Sequence, residues 1–110
     1  VSIFTDPDTE MVAGAKSVGA DRIELYTEPY AAGYIADRNL AVHDYVSAAE
    51  KATELGLGIN AGHDLDLNNL KFLIDQIPAI DEVSIGHALI SDAIYYGLEN
   101  TIQMYLKNLK

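Results

Sequence analysis

The sequence predicts an α/β fold in which four parallel βα units form half of a (β/α)8 TIM barrel. Short apolar strands alternate with helical segments four times along the 110 residues, which is typical of a parallel sheet covered by helices. Each strand also reads apolar–polar–apolar at its centre, and the four polar residues are Ser2, Glu24, Asn60 and Ser84. Two neighbouring strands then run out into a Gly-His pair, at the edge where α/β proteins bind ligands.

The polar residues inside the strands favour a barrel over a flat doubly wound sheet. Because side chains alternate between the two faces of a strand, the polar residues can all point to one face and the aliphatic residues to the other. A doubly wound sheet has helices over both faces and reads apolar throughout. In a barrel, one face meets the helices and the other lines a lumen, which can be polar near its catalytic end.

The first βα unit begins with a strand at Val1–Phe4. Asp6 is a candidate N-cap for the helix that follows, with Pro7 in the first turn. An apolar stripe of helical period then runs to Gly19, which ends the helix. The second strand is predicted at Arg22–Thr27.

The second unit has a longer connection, from Glu28 to about Asn39, that contains a proline and a glycine. Its helix is predicted from Leu40 to Leu55, where apolar residues recur at helical spacing, and Gly56 ends it.

The last two units are shorter. The third strand is predicted at Leu57–Ala61, and its helix is capped by Asp66 and closed by Pro78. The fourth strand is Glu82–Ile85. Two helical segments then follow, separated by Gly97. Residues 1–110 are therefore predicted to form a single (βα)4 domain.

Composition excludes several classes of protein. The net charge of −10, with 7 Lys and Arg residues, argues against nucleic-acid binding. Without cysteine there is no disulfide framework and no thiolate metal site. No apolar run is long enough to span a bilayer and no signal peptide is visible, so we expect a cytoplasmic protein without a membrane partner.

The start of the chain lies inside a predicted strand, which suggests a fragment of a TIM barrel of roughly 240 residues. A half-barrel has two unpaired edge strands and an open lumen face. We therefore expect it to pair with a missing amino-terminal half or with a second copy of itself, as a homo-oligomer.

His63 follows the third strand and is flanked by Gly62 and Asp64. One interpretation is a general acid or base, with Asp64 or Asp66 close enough to orient it. The alternative is a loop histidine that caps the next helix. Spacing alone leaves both open, and the histidines and aspartates match no metal-ligand pattern, so no metal is predicted.

Gly86 and His87 stand directly before a helix. Backbone N–H groups at that position can bind a phosphate, although a tight turn that needs glycine gives the same pattern. Glu24 is a carboxylate in mid-strand, where a charge is costly unless it is paired or faces a wet cavity. We expect it to face the lumen, and the alternative is an ion pair with Arg22 or with a lysine across the sheet.

The chain resembles the pyridoxine 5′-phosphate synthase family over its whole length. The matching segments are, in order, Val1–Phe4 with Asp6, Ile23–Thr27, Asn60–His63 and Ile85–Ala88, which resemble the last four strands of that family's barrel. The resemblance implies a (β/α)8 barrel of which this chain is the carboxyl-terminal half. It also implies condensation of 3-amino-2-oxopropyl phosphate with 1-deoxy-D-xylulose 5-phosphate in vitamin B6 biosynthesis, without metal or organic cofactor.

The resemblance also assigns roles to individual residues. His63 is the implied proton donor and Glu24 the carboxylate that stabilises the transition state. Gly86 and His87 are implied to hold the phosphate of the amino-ketone, and Asp64 to face the same substrate. The chain departs from the common family pattern at Asp64 and Glu28, where many relatives have glycine, and at Ser91-Asp92, where a pair ending in arginine is common.

Further acid/base residues of the family lie on its early strands and have no counterpart in the sequence, so we expect the isolated half to be inactive. Two alternative functions are also consistent with the sequence. One is a non-catalytic half-barrel that closes by homodimerisation, and the other is a phosphate-metabolite binding module of another TIM-barrel family.

Overall fold

Four short strands pair in parallel and in chain order, β1-β2-β3-β4, in the computed structural model of the protein. The structure describes residues 1–62 and 64–109. The strands are β1 Ser2–Thr5, β2 Arg22–Tyr26, β3 Gly58–Gly62 and β4 Glu82–Ser84, each within one residue of its predicted bounds. The helices are α1 Thr9–Ser17, α2 Glu28–Glu54, α3 Leu70–Gln76, α4 His87–Tyr96 and α5 Leu98–Asn108. The predicted α/β class and the parallel sheet are confirmed.

The strand register separates a polar face of the sheet from an apolar one. Ser2 lies opposite Arg22, Glu24 opposite Asn60, and Ser84 opposite Gly62. Because residues two apart on a strand share a face, the polar residues predicted to share one face do so. The opposite face carries aliphatic side chains such as Ile23 and Ile59, which are fully buried.

The hydrophobic core lies between the apolar face of the sheet and the helices. Its largest fully buried side chains come from β2, β3, α1, α2, α3 and the β3–α3 segment; they are Tyr30, Tyr45, Ile23, Leu25, Ile59, Leu65, Leu70, Leu73 and Val12. By contrast, α4 has no buried residue, and Ile90 and Ile94 are 61% and 79% exposed. None of the helices described is long and apolar enough to cross a membrane.

Helix α1 is capped by a different residue from the one predicted. The Asp8 carboxylate accepts a hydrogen bond of 2.8 Å from the Glu10 N–H, which satisfies one of the free donors of the first turn. Asp6 instead accepts the Asp8 N–H through its backbone carbonyl, at 2.7 Å. The prediction of Asp6 as the cap was wrong by two residues, because Pro7 lies before the helix rather than in it.

The connection predicted between Glu28 and Asn39 is largely helical. Residues 28–36 form a first helical segment of α2, and Asp37, with φ −159° and ψ 96°, separates it from 38–54. The Asp37 carboxylate accepts hydrogen bonds of 3.1 Å from the N–H groups of Asn39 and Leu40, so it caps the second segment. The predicted start near Leu40 is therefore nearly right, whereas the helix before it was missed.

Asp66 acts as a cap, but on a turn that precedes α3. Its carboxylate accepts from the N–H groups of Asn68 and Asn69 at 2.8 and 2.9 Å. Helix α3 itself begins at Leu70, three residues later than the apolar stripe suggests. Gly97 separates α4 from α5 as predicted, with φ 82°.

Candidate functional site

A pocket of about 820 Å³ opens at the carboxyl edge of the sheet. Its wall is built by the segments that follow β2, β3 and β4, together with the polar face of the strands. The residues of the site that the sequence predicts and the structure describes all line it: Glu24, Asp64, Gly86 and His87. The carboxyl edge of a parallel sheet thus brings together residues up to 63 positions apart, as expected from the topology.

Glu24 lies half-buried on the polar face of β2 and reaches toward the pocket. It points over Gly62 of the neighbouring strand, since a Cβ added at Gly62 would stand 3.1 Å from its Oε2. Arg22 donates to Asn60 Oδ1 at 2.8 Å and, among the described residues, makes no ion pair with Glu24. The orientation toward the cavity, rather than the alternative of an ion pair with Arg22, is what the structure shows.

The amino terminus of α4 forms the opposite wall. The helix begins at His87 and Gly86 occupies its N-cap position, where no side chain caps the first turn. The first residues of this ten-residue helix, Gly86, His87 and Ala88, line the pocket, and the N-cap offers no side-chain acceptor to the free N–H groups of the first turn. Such a helix end favours an anionic group of a ligand through its hydrogen-bond donors and its dipole.

The loop between β3 and α3 supplies the third wall, with Asp64, Leu65, Asp66 and Asn69. Asp64 is exposed and adopts φ 56°, a left-handed conformation that aspartate tolerates better than most residues. His63, the predicted proton donor, lies outside the described residues.

The start of α2 completes the wall with Glu28, Ala31 and Ala32. The Tyr26 hydroxyl donates a hydrogen bond to Glu28 Oε2. This bond, with further contributions from burial and from the charges of Glu28, Asp64 and Asp6, raises the pKa of Tyr26.

The charge of the pocket wall is negative. Four carboxylates line it, those of Glu24, Glu28, Asp64 and Asp66, and no Lys or Arg of the described residues does. Two of these acids are engaged locally, Glu28 by Tyr26 and Asp66 by the turn it caps. No group of three potential metal ligands occurs in the ranges 1–62 and 64–109.

Sequence reasoning missed Asn69 and the two alanines of α2, which line the pocket, and Tyr26, which donates to the lining residue Glu28. The alanines lie in the helical segment that was predicted as a connection, so no pattern pointed to them. Asn69 is 3% exposed, and its buried amide could have been noticed only through Asp66, three residues earlier. His43 and Tyr95 are exposed and are not among the residues that line the pocket.

A parallel α/β sheet in chain order, with a helix amino terminus and a carboxylate facing one pocket at its carboxyl edge, is typical of enzymes that act on small anionic metabolites. The model of one protein family, described as pyridoxal phosphate biosynthesis protein PdxJ, matches residues 1–110. The chain belongs to this family, which is a TIM-barrel family.

Individual relatives agree with that assignment. The chain is 64% identical over 110 residues to a pyridoxine 5′-phosphate synthase of Cytophaga hutchinsonii and 60% identical over 109 residues to one of Flavobacterium johnsoniae. It is 57% identical over 108 residues to that of Porphyromonas gingivalis. These matches cover 98–100% of the chain but 45–46% of each relative. The chain therefore spans about half the length of the curated relatives it matches.

Proposed function

We propose that the chain is the carboxyl-terminal half of a pyridoxine 5′-phosphate synthase-like enzyme. The whole enzyme condenses 3-amino-2-oxopropyl phosphate with 1-deoxy-D-xylulose 5-phosphate, and the isolated half is inactive. One observation carries the proposal: in a chain of this family, Glu24, Asp64, Gly86 and His87 line a single pocket at the carboxyl edge of the sheet.

The chemistry of the pocket suits this reaction. Ring closure through imine and enamine steps requires repeated proton transfers, for which a carboxylate and a histidine are suitable groups. In the proposal, Glu24 stabilises positive charge that develops on the condensing nitrogen, and His63 donates protons. Gly86 and His87, at the amino terminus of α4, bind the phosphate of the amino-ketone, while Asp64 faces the same substrate.

The half-barrel arrangement is supported by the topology. A sheet in the order β1-β2-β3-β4 has its helices over the apolar face and leaves Glu24 and Asn60 half-exposed on the other face. Strands β1 and β4 each have one edge that no described strand pairs with. A second set of four βα units, supplied by the remainder of a protein of the relatives' length, would complete both edges and cover the polar face.

A chimera tests the proposal. The segment of the Cytophaga hutchinsonii synthase that matches this chain is replaced by residues 1–110, and formation of pyridoxine 5′-phosphate is measured. We expect an active chimera in which Glu24→Gln lowers kcat by about 100-fold or more, because the charge of the carboxylate is lost. Glu10→Gln, at an exposed position of α1, is the matched control and leaves the rate unchanged. A folded but inactive chimera, or one indifferent to Glu24→Gln, contradicts the proposal.

Homodimerisation of the half-barrel is a second candidate, favoured by the exposed apolar residues of α4 and by Phe4, which is 58% exposed on the polar face. Sedimentation of the 110-residue chain distinguishes a homodimer from a monomer. A species near twice the 12.0 kDa chain mass supports closure by a second copy, and a stable monomer excludes it.

A further inference from the structure

The segment at the start of α2 holds the β3–α3 loop at two points. The Thr27 N–H and the Thr27 hydroxyl both donate to the carbonyl oxygen of Gly62, the former at 3.0 Å. Thr27 is fully buried, although its side chain is polar. Two donors on one carbonyl therefore fix the peptide that ends β3, in a place where water cannot compete for it.

The second point of attachment lies on the other side of position 63. The Asn69 side chain donates from Nδ2 to the carbonyl of Asp64 at 3.2 Å and accepts from the Asp66 N–H at 2.9 Å. The carbonyl of Asn69 in turn accepts from the hydroxyl of Tyr30, which is fully buried in α2. Tyr30 thus links the first segment of α2 to the loop through the buried Asn69.

We propose that Thr27, Tyr30 and Asn69 act as positioning residues for the pocket wall at Gly62 and residues 64–66. Thr27 holds the carbonyl of Gly62, Asn69 holds the carbonyl of Asp64, and Tyr30 in turn holds Asn69. This inference rests on the proposed function, because the proposed function is what assigns this part of the pocket wall a role in the reaction.

The energetic argument concerns Asp64. Its left-handed backbone costs more than an extended or helical one and persists only where surrounding bonds enforce it. The hydrogen bond from Asn69 Nδ2 to the Asp64 carbonyl is such a bond, and Asn69 itself is buried. Without the three positioning residues, we expect the loop to sample other conformations and the groups it carries to lose their orientation. Misplacement by about 1 Å is enough to cost up to about 100-fold in rate.

The test uses Thr27→Val and Tyr30→Phe in the chimera, each of which removes a hydroxyl and keeps the shape of the side chain. We expect kcat to fall about 10- to 100-fold and KM to rise by a smaller factor, because the phosphate site at α4 lies on another element whereas Asp64 lies on the wall that is disturbed. Thr27→Ser, which keeps the hydroxyl, restores kcat. Thr53→Val is the matched control, since Thr53 loses a comparable bond of 2.9 Å to the Ala49 carbonyl at the far end of α2.

Amide hydrogen exchange provides a readout that does not depend on activity. In the same variants we expect exchange at Gly62 and in residues 64–66 to become about fivefold to tenfold faster, while exchange in α1 is unchanged. If neither exchange nor kcat changes, or if exchange accelerates and kcat does not, the inference is wrong. An inactive parent chimera contradicts the proposed function instead. In that case, unchanged exchange in its Thr27→Val variant contradicts the positioning role of Thr27 separately.

Discussion

Asp64 combines an energetic cost with a place on the pocket wall. Its φ of 56° is a conformation in which a β-carbon crowds the backbone, and the cost is smallest for glycine and largest for β-branched residues. The same residue projects a carboxylate at the edge of the site where we propose that a phosphorylated substrate binds. Geometry and charge at this position can therefore be separated by substitution.

Asp64→Val is expected to lower the free energy of unfolding by about 1–2 kcal/mol, because valine does not adopt the left-handed conformation without strain. Asp64→Gly removes the strain and is expected to leave stability unchanged or raise it slightly. Urea unfolding followed by circular dichroism measures both variants. Equal stabilities of the two would show that the loop adapts its backbone to the side chain.

Gly62 provides the space that the Glu24 carboxylate occupies, and its substitution tests that contact. Gly62→Ala would bring a Cβ to 3.1 Å from Glu24 Oε2 and force the carboxylate to shift. We expect a double-mutant cycle with Glu24→Ala to give a coupling energy of about 0.5 kcal/mol, since the close contact disappears when the long side chain is removed. Additive effects in urea unfolding would mean that Glu24 does not lie over Gly62.

The sequence predicts those pocket-lining residues that lie on a strand or directly after its end. Glu24, Gly86 and His87 were found because alternation along a strand and glycine before a helix leave local patterns. The same patterns did not reveal Thr27, Tyr30 and Asn69. Thr27 and Tyr30 donate to residues 35 or more positions away, and the hydrogen bonds of Asn69 depend on the conformation of a buried loop. Such long-range bonds leave no local signature in the chain.

At the scale of elements, the helices differ most from expectation where polar residues cap them. Competing aspartates at positions 6 and 8 made the start of α1 ambiguous, and only the geometry of the carboxylate decides between them. In α2, Asp37 was hidden in a segment with a proline and a glycine, so a capped helix break resembled a loop. Strands were predicted more accurately because their alternation follows directly from burial on one face.

Asp8→Ala is expected to destabilise the protein by about 1 kcal/mol, because α1 loses its side-chain cap. Asp6→Ala serves as the matched control, with the same charge change two residues away, and we expect an effect below about 0.5 kcal/mol. Thermal unfolding at fixed salt concentration compares the two. A larger loss for Asp6→Ala would restore the assignment made from sequence.

At the scale of the whole molecule, three buried tyrosines form part of the hydrophobic core. Burial raises the pKa of Tyr45 to about 12 and also raises that of Tyr30 and Tyr105, the last with help from its 2.8 Å hydrogen bond to Asp92. In the unfolded chain these hydroxyls ionise near pH 10. The stability that their neutral forms contribute is therefore fully present below pH 10 and is lost as pH rises toward the pKa values of the folded state.

We expect the free energy of unfolding to be insensitive to these tyrosines at pH 7–9 and to fall above pH 10. Each tyrosine contributes a slope of up to about 1.4 kcal/mol per pH unit. Tyr45→Phe reduces the slope, whereas Tyr95→Phe, at a position that is 84% exposed, leaves it unchanged. Urea unfolding between pH 8 and 11.5 measures the slopes, and an unaltered slope for Tyr45→Phe contradicts the expectation.

The chain-order sheet also has a consequence for how the protein forms. Each of β2, β3 and β4 pairs with the strand that precedes it in the chain, so each of these units can add to a neighbour that has already been synthesised. The pocket, however, receives its helix amino terminus at Gly86 from the fourth of these units. We expect β2 and β3 to gain protection in pulse-labelled exchange before α4 does, so that the pocket is completed only after the strands beside it have formed.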